Sequence, residues 1–311
     1  MSPERSEDAW VAAVARRFPR SPRVRVGIGH DTATVAFDGR DVVLKIDTVI
    51  DGVDLRLAAC GPVLAGRKAL AVPVSDLAAS GAVPRAAVVS AVLPRDVEFP
   101  TFDGLAEGLA AMAAEVGCDV VGGDTSVADG PLVLSVAVVG EPGPHGLVTR
   151  GGARAGMTIS TTGPLGGSIV GRHLTFRPRL SEAQALLAHH VPAAMMDLSD
   201  GIAADLPRLC AASGVGAYVQ AAALPVHPDV TRLADGRPAW EHALSDGEDF
   251  ELLLAHAPLA ADVVAALARA GVTLHAVGRT TDRAGVLELE VDGAVRPWPR
   301  GGYDHLRRAG G

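Results

Sequence analysis

Lys68-Ala-Leu-Ala-Val-Pro-Val-Ser-Asp-Leu-Ala-Ala-Ser-Gly-Ala82 is the stretch from which the first half of the chain can be ordered. Its Ala/Leu-rich apolar spacing belongs to a long helix expected over residues 61–81, with a break near Pro73. Asp76 interrupts the apolar surface just before the small residues that end the helix. Upstream, Thr34–Asp38 and Asp41–Asp47 are strand candidates joined by an Asp-Gly-Arg turn that suits a hairpin. Downstream, Arg85–Leu93 reads as an apolar strand, Phe102–Val116 as a helix capped by Gly117, and Leu132–Gly140 as a strand. Between the last two, Asp119–Val121 is expected to be a short buried strand feeding a Gly122-Gly-Asp124 turn. A short amphipathic helix over residues 8–18 would present Trp10, Val11, Val14 and Ala15 on one side.

Glu141 to Gly156 carries the densest Gly/Pro punctuation and is the best linker candidate. Beyond it the cycle restarts with strand Thr158–Thr162 and helices near Gly166–His173, at Ser181–His190 and at Ile202–Ser213. Strands near Ala217–Val219, Glu251–Ala255 and Leu274–Arg279 follow. At 311 residues two domains are the natural expectation, residues 1–145 and 146–311, both of mixed α/β type.

Acidic residues number 36 against 28 basic ones, a net charge of −8, which argues against a general nucleic-acid binder. Cys60, Cys118 and Cys210 form no CxxC or Cys/His cluster and read as small buried hydrophobes in a reduced compartment. The first residues lack an apolar signal core, and no apolar run approaches a membrane span of roughly 18–20 residues. A cytoplasmic protein with no membrane partner is the expectation.

Six aspartates stand where apolar runs end or small-residue turns begin: Asp31, Asp47, Asp76, Asp124, Asp197 and Asp200. Singly, an aspartate in such a turn is more often a cap than a ligand. Repetition changes the weighing, because Asp47, Asp124 and Asp197 end strand-like runs, where α/β folds place their sites. Asp197 and Asp200 are three apart across a strand-to-helix entry and can face one cavity. Gathered carboxylates repel unless cations lie between them, and oxygen-only ligand sets favour hard ions such as Mg²⁺, commonly shared with phosphates. No GxxxxGK[ST] loop is present, and His-Arg-Asp and Asp-Phe-Gly are absent, so phosphoryl transfer here would lean on aspartates and metals. The acidic turn Ser245-Asp-Gly-Glu-Asp-Phe-Glu-Leu252 is about as well explained by a solvated loop.

Taken in order, Gly27-Ile-Gly-His-Asp-Thr-Ala33, Lys68 to Ala82, Gly122-Gly-Asp-Thr125, Thr149-Arg-Gly-Gly-Ala-Arg-Ala-Gly156, Asp197-Leu-Ser-Asp-Gly201, Ser245 to Leu252 and Gly302-Tyr-Asp-His305 resemble the thiamine-monophosphate kinase family. That family belongs to the superfamily typified by aminoimidazole ribonucleotide synthetase, and the likeness covers roughly residues 25–305. It implies ATP-dependent phosphorylation of thiamine monophosphate to thiamine diphosphate, several Mg²⁺ ions with K⁺ a further candidate, and a homodimer in which N-terminal sheets pair. The six aspartates match metal ligands, with Asp124, Asp197 and Asp200 carrying the catalysis. Gly123, Asp124, Arg150 and Ser199 match the nucleotide site, and Asp54, Glu248 and Tyr303 match substrate positions.

Departures from the family pattern are local. His30 replaces an acid, Lys45 and Ile46 stand where hydroxyl residues are common, and Val53-Asp54 replaces Gly-x-His. Lys45 could neutralise part of the charge itself or point outward as a solvated strand residue, and the second is the expectation. Two alternatives stay open: a superfamily relative acting on another phosphate or carbonyl acceptor, and a non-catalytic nucleotide-binding paralogue.

Overall fold

A computed structural model describes residues 21–299 and 301–302; the helix expected over residues 8–18 and the Tyr303 substrate position lie outside the described residues. Two mixed sheets organise the chain. The first has six strands, β1 (Val24–Val26), β2 (Ala33–Phe37), β3 (Arg40–Ile50), β4 (Ala82–Pro94), β5 (Asp119–Ala128) and β6 (Val133–Pro142), in the order β1-β2-β3-β6-β4-β5. Only β4 and β5 pair in parallel. The second sheet takes β7 (Thr158–Thr161), β8 (Pro192–Asp197), β9 (Gly216–Gln220), β10 (Leu252–His256), β11 (His275–Thr281), β12 (Leu287–Val291) and β13 (Ala294–Pro297), in the order β13-β12-β9-β11-β7-β10-β8. The strands near Ala217, Glu251 and Leu274 are therefore present within a residue or two of their expected bounds.

Helix α1 (Leu57–Ser80) is the centre of the molecule, and helix α2 (Phe99–Val116) packs along it. The expected break at Pro73 is not there. The helix departs from helical geometry at Gly61 instead, where φ 77° and ψ 164° suit only glycine, and it restarts at Pro62. A residue before proline is pushed out of the α region, whereas proline at the first position of a helix loses nothing. Pro73 itself is buried, so packing holds the helix through it. By length and composition α1 could cross a membrane. It instead carries the buried side chains of Lys68, Ser75 and Asp76 and contacts β3, β4, β6 and β8, the situation of a core helix.

Strand β5 runs on through Gly122, Gly123 and Asp124 rather than turning there, and it is exposed rather than buried. It is the edge of its sheet. A Cβ on Gly123 would lie 2.0 Å from the Val89 carbonyl oxygen, so the glycine serves close approach of two backbones and not a turn. Helices α3 (Arg172–Thr175), α4 (Leu180–Ala188), α5 (Ile202–Ser213), α6 (Ala239–Ser245) and α7 (Ala261–Arg269) complete the second half. The helix expected near Gly166–His173 is reduced to one 3₁₀ turn, Ser168–Val170, and to α3. One core lies between α1, α2 and the first sheet, and another fills the second sheet against α5. Phe250 from the second half stacks on Phe176 at 3.9 Å within the first core.

Candidate active site

The end of β8, the middle of β3, the last turns of α1 and the loop before β2 converge on one acidic centre. Asp31, Asp76 and Asp197 are all buried, and one carboxylate oxygen from each lies within 4.8 Å of the others. Ser75 donates to Asp197 Oδ2 at 2.6 Å, tying α1 to the second sheet. Arg150, from the linker, donates to Asp31 Oδ1 from Nε at 3.0 Å and Nη2 at 2.7 Å. Asp47 joins from β3, with its Oδ2 buried and lacking a hydrogen-bond partner.

Lys45 points inward, contrary to the sequence expectation. The alternation of β3 places it with Val43, Asp47 and Val49 on the face toward α1. Its Nζ lies 3.0 Å from Asp76 Oδ1 and 3.3 Å from Asp47 Oδ1, and only 21% of the side chain is exposed. Burial alone would lower its pKa, but Asp76, Asp47 and Asp197 outweigh that and raise it, favouring the ammonium.

Asp200 and Asp124 stand outside this group. Asp200 pairs with Arg208, and its backbone N–H donates to the fully buried Asp205. Asp205 escaped the sequence reading because an acid in the first turn of α5 looks like ordinary helix-dipole chemistry. Thr48, Ser135, Ser90 and Asp124 are successive register partners across the sheet, so Asp124 shares the face of Thr48, opposite that of Asp47. There it is exposed and accepts from Ser126 Oγ at 3.3 Å. Gly123 lies beside it on β5.

The second cluster lies further up α1. Lys68, wholly buried, donates at 2.6 Å to Glu248 Oε1 and at 2.6 Å to the Asp54 carbonyl oxygen. The two expected substrate positions on described residues, Asp54 and Glu248, are thus drawn together by a lysine whose role the sequence did not disclose. Burial raises the Glu248 pKa while Lys68 opposes the rise. Glu248 and Phe250 have φ of 54° and 51°, uncommon for residues with a side chain. Backbone bonds from Glu248 to the Ser199 carbonyl and from Phe250 to the Leu198 carbonyl hold that conformation.

The acidic turn is not a solvated loop. Asp249 accepts from Gly166 N and Arg172, and Glu251 accepts from Arg179 and Thr162, all in the interior. Trp298 donates to the Ala203 carbonyl at 2.9 Å, and Gly302 lies against Asp200 and Ala204, bringing the C-terminal segment to the start of α5.

Three convergent carboxylates suit a small hard cation such as Mg²⁺. Burial pushes the Asp197 carboxyl up to about 7, and Asp31 pushes it the same way against Ser75, Lys45 and Arg150. Asp76 and Asp47 are raised too, chiefly by burial. An acid with a folded pKa above its unfolded value of 3.8 holds its proton longer when folded, so its contribution to stability declines as pH rises from about 4 to about 7. Metal-free protein should therefore lose on the order of a few kcal/mol between pH 5 and about pH 7.5 from this group in urea denaturation. Saturating Mg²⁺ should restore stability at the higher pH and do little at pH 5, because only deprotonated ligands bind it. A Mg²⁺ effect equal at both pH values would contradict this.

Models of the AIR synthase related protein family match the chain in two parts, the N-terminal domain over residues 29–141 and the C-terminal domain over 135–289. A thiamine-monophosphate kinase of Rhodopirellula baltica is 36% identical over 291 residues, covering 90% of this chain and 91% of the relative. The chain belongs to the thiamine-monophosphate kinase family. The thiamine-monophosphate kinase of Salmonella typhimurium is 33% identical and covers 94% of this chain and 97% of its own length. The solved structure described as AaThiL complexed with AMPPCP and TMP superposes with a TM-score of 0.83 at 27% identity, covering 97% of each chain. Membership of the thiamine-monophosphate kinase family bears out the resemblance carried by the ordered motifs. It also bears out the expected two-domain fold with mixed sheets, and marks the chain as an enzyme.

Proposed function

We propose that this protein transfers the γ-phosphoryl group of ATP to thiamine monophosphate, giving thiamine diphosphate and ADP, in the cytoplasm. The convergence of Asp31, Asp76 and Asp197 beneath Arg150 carries the proposal, together with the activity for which the family is named and the AMPPCP and TMP of the superposed structure. A phosphate monoester with a second pKa of about 6 is already largely deprotonated at neutral pH, so its oxygen needs little help from a general base. The difficulty is bringing two anions together in line.

Asp31, Asp76 and Asp197 would hold Mg²⁺, which when bound neutralises phosphate charge and positions the reacting oxygens. Arg150 fixes Asp31 and adds positive charge beside the acidic centre, where a nucleotide phosphate would meet it. The Asp197–Gly201 loop, with Ser199 exposed enough to meet a ligand, is braced by the Glu248 loop. Glu248, oriented by Lys68, faces the acceptor's cationic thiamine end. Gly123, Asp124 and Asp200 are proposed as nucleotide or metal contacts on the strength of the family match alone.

A homodimer fits the open face of the first sheet. Leu44, Ile46, Val88 and Val139 are exposed there on three adjacent strands, beside Asp124. Sedimentation of a monomer at assay concentrations would remove this part of the reading.

Incubation of purified protein with Mg²⁺, ATP and thiamine monophosphate should yield thiamine diphosphate and ADP in equal amounts, resolved by chromatography. ATP binding without product would favour a binding paralogue, and turnover only with another acceptor would favour a superfamily relative. The same assay on Asp124→Ala should show lost turnover; unchanged turnover would take Asp124 out of the site.

A further inference from the structure

Lys45 is placed where an ion bridging Asp47 and Asp76 would have to go. Its Nζ is within 3.3 Å of one carboxylate oxygen on each, and Asp76 is shared with the triad. The stem is fixed by β3, which pairs with β2 on one side and β6 on the other, so the ammonium is held in place by a central strand. Counting formal charges, Asp31, Asp47, Asp76 and Asp197 face Lys45 and Arg150, leaving an excess equal to one divalent cation. Mg²⁺ needs ligand oxygens at about 2.0–2.1 Å, and an ammonium that already occupies the gap between two of those oxygens excludes the ion there.

We propose that Lys45 is a built-in cation that takes the place of a divalent ion between Asp47 and Asp76, so that metal binding is confined to the Asp31, Asp76 and Asp197 side of the cluster. The idea rests on the metal-dependent reading of the site but not on the identity of the acceptor. A covalently tethered charge needs no metal from solution and cannot dissociate between turnovers. It also carries one charge where a metal ion carries two, so the Asp47 side of the cluster retains more negative charge.

The test counts bound Mn²⁺ by electron paramagnetic resonance, with AMPPCP present, on wild-type protein and Lys45→Thr. The threonine removes the charge and frees both carboxylates, and the variant should bind one more Mn²⁺ per subunit than wild type. A folded Lys45→Thr protein with the wild-type count would overturn the proposal. Should that variant fail to fold, Asp47→Asn decides: an unchanged count supports the proposal, because Asp47 is engaged by Lys45, and loss of one Mn²⁺ defeats it. Failure to make thiamine diphosphate would defeat the proposed reaction while leaving these counts untouched.

Discussion

Asp197→Asn should reduce kcat/KM for thiamine monophosphate by at least about a hundredfold while leaving the protein folded. Asparagine keeps the size of the side chain and can still accept from Ser75, so the link between α1 and β8 survives. What disappears is one of three negative oxygens that converge within 4.8 Å. Loss of a group that positions or stabilises charge in a dry site costs on the order of 10²–10³ in rate, and altering even the groups behind a metal's ligands costs 10–100-fold in affinity or activity. Added Mg²⁺ should recover part of the loss if the defect is ion affinity. The variant should also lose the share of the metal-free protein's pH-dependent softening near pH 7 that Asp197 contributes, because asparagine does not titrate. Wild-type turnover in Asp197→Asn would remove the triad from the reaction.

Lys68→Met should destabilise the fold by roughly 3 kcal/mol and raise KM for thiamine monophosphate more than it lowers kcat. Breaking a buried ion pair from one side typically costs about 3–5 kcal/mol, because the remaining charge has no partner. The lower end applies here, since Glu248 is only partly buried and regains some water. The Asp54 carbonyl loses its donor as well. The split between KM and kcat separates orientation of Glu248 from general loosening: unfolding would lower the active fraction without moving KM. Urea denaturation and initial-rate kinetics make both measurements, and an unchanged KM would show that Lys68 serves stability alone.

How far the chain could be read depended on the distance over which each feature is decided. Helix α5 was legible to the residue, because its start after Asp-Gly and its end at Gly214 are local signals. The end of α2 at Gly117, which adopts the left-handed conformation, was legible for the same reason. The triad was half legible. Sequence placed Asp31, Asp76 and Asp197 in separate motifs, and only the meeting of α1 with β8 puts them in one volume.

Lys45 was misjudged because alternation says which residues share a face and not which face is inward. The turn from Ser245 to Leu252 stayed evenly weighed in sequence because Arg172 and Arg179, the partners of Asp249 and Glu251, lie more than seventy residues away. Gly122 and Gly123 were misjudged because a glycine pair looks the same in a turn and in a strand that approaches its neighbour closely. Asp124 then followed the strand to the far face of the sheet.

Helix α1 carries both Lys68 and Asp76, and eight helical residues rise about 12 Å. Lys68, which holds Glu248, and Asp76, one of the three convergent acids, are therefore mounted on a single stiff ruler. Flexing of the segment that joins the two sheets cannot change the separation of these two marks. Under the proposed reaction acceptors should be sorted by length: a phosphate ester whose recognised end falls well short of that span would not touch Glu248 and reach the acidic centre at once.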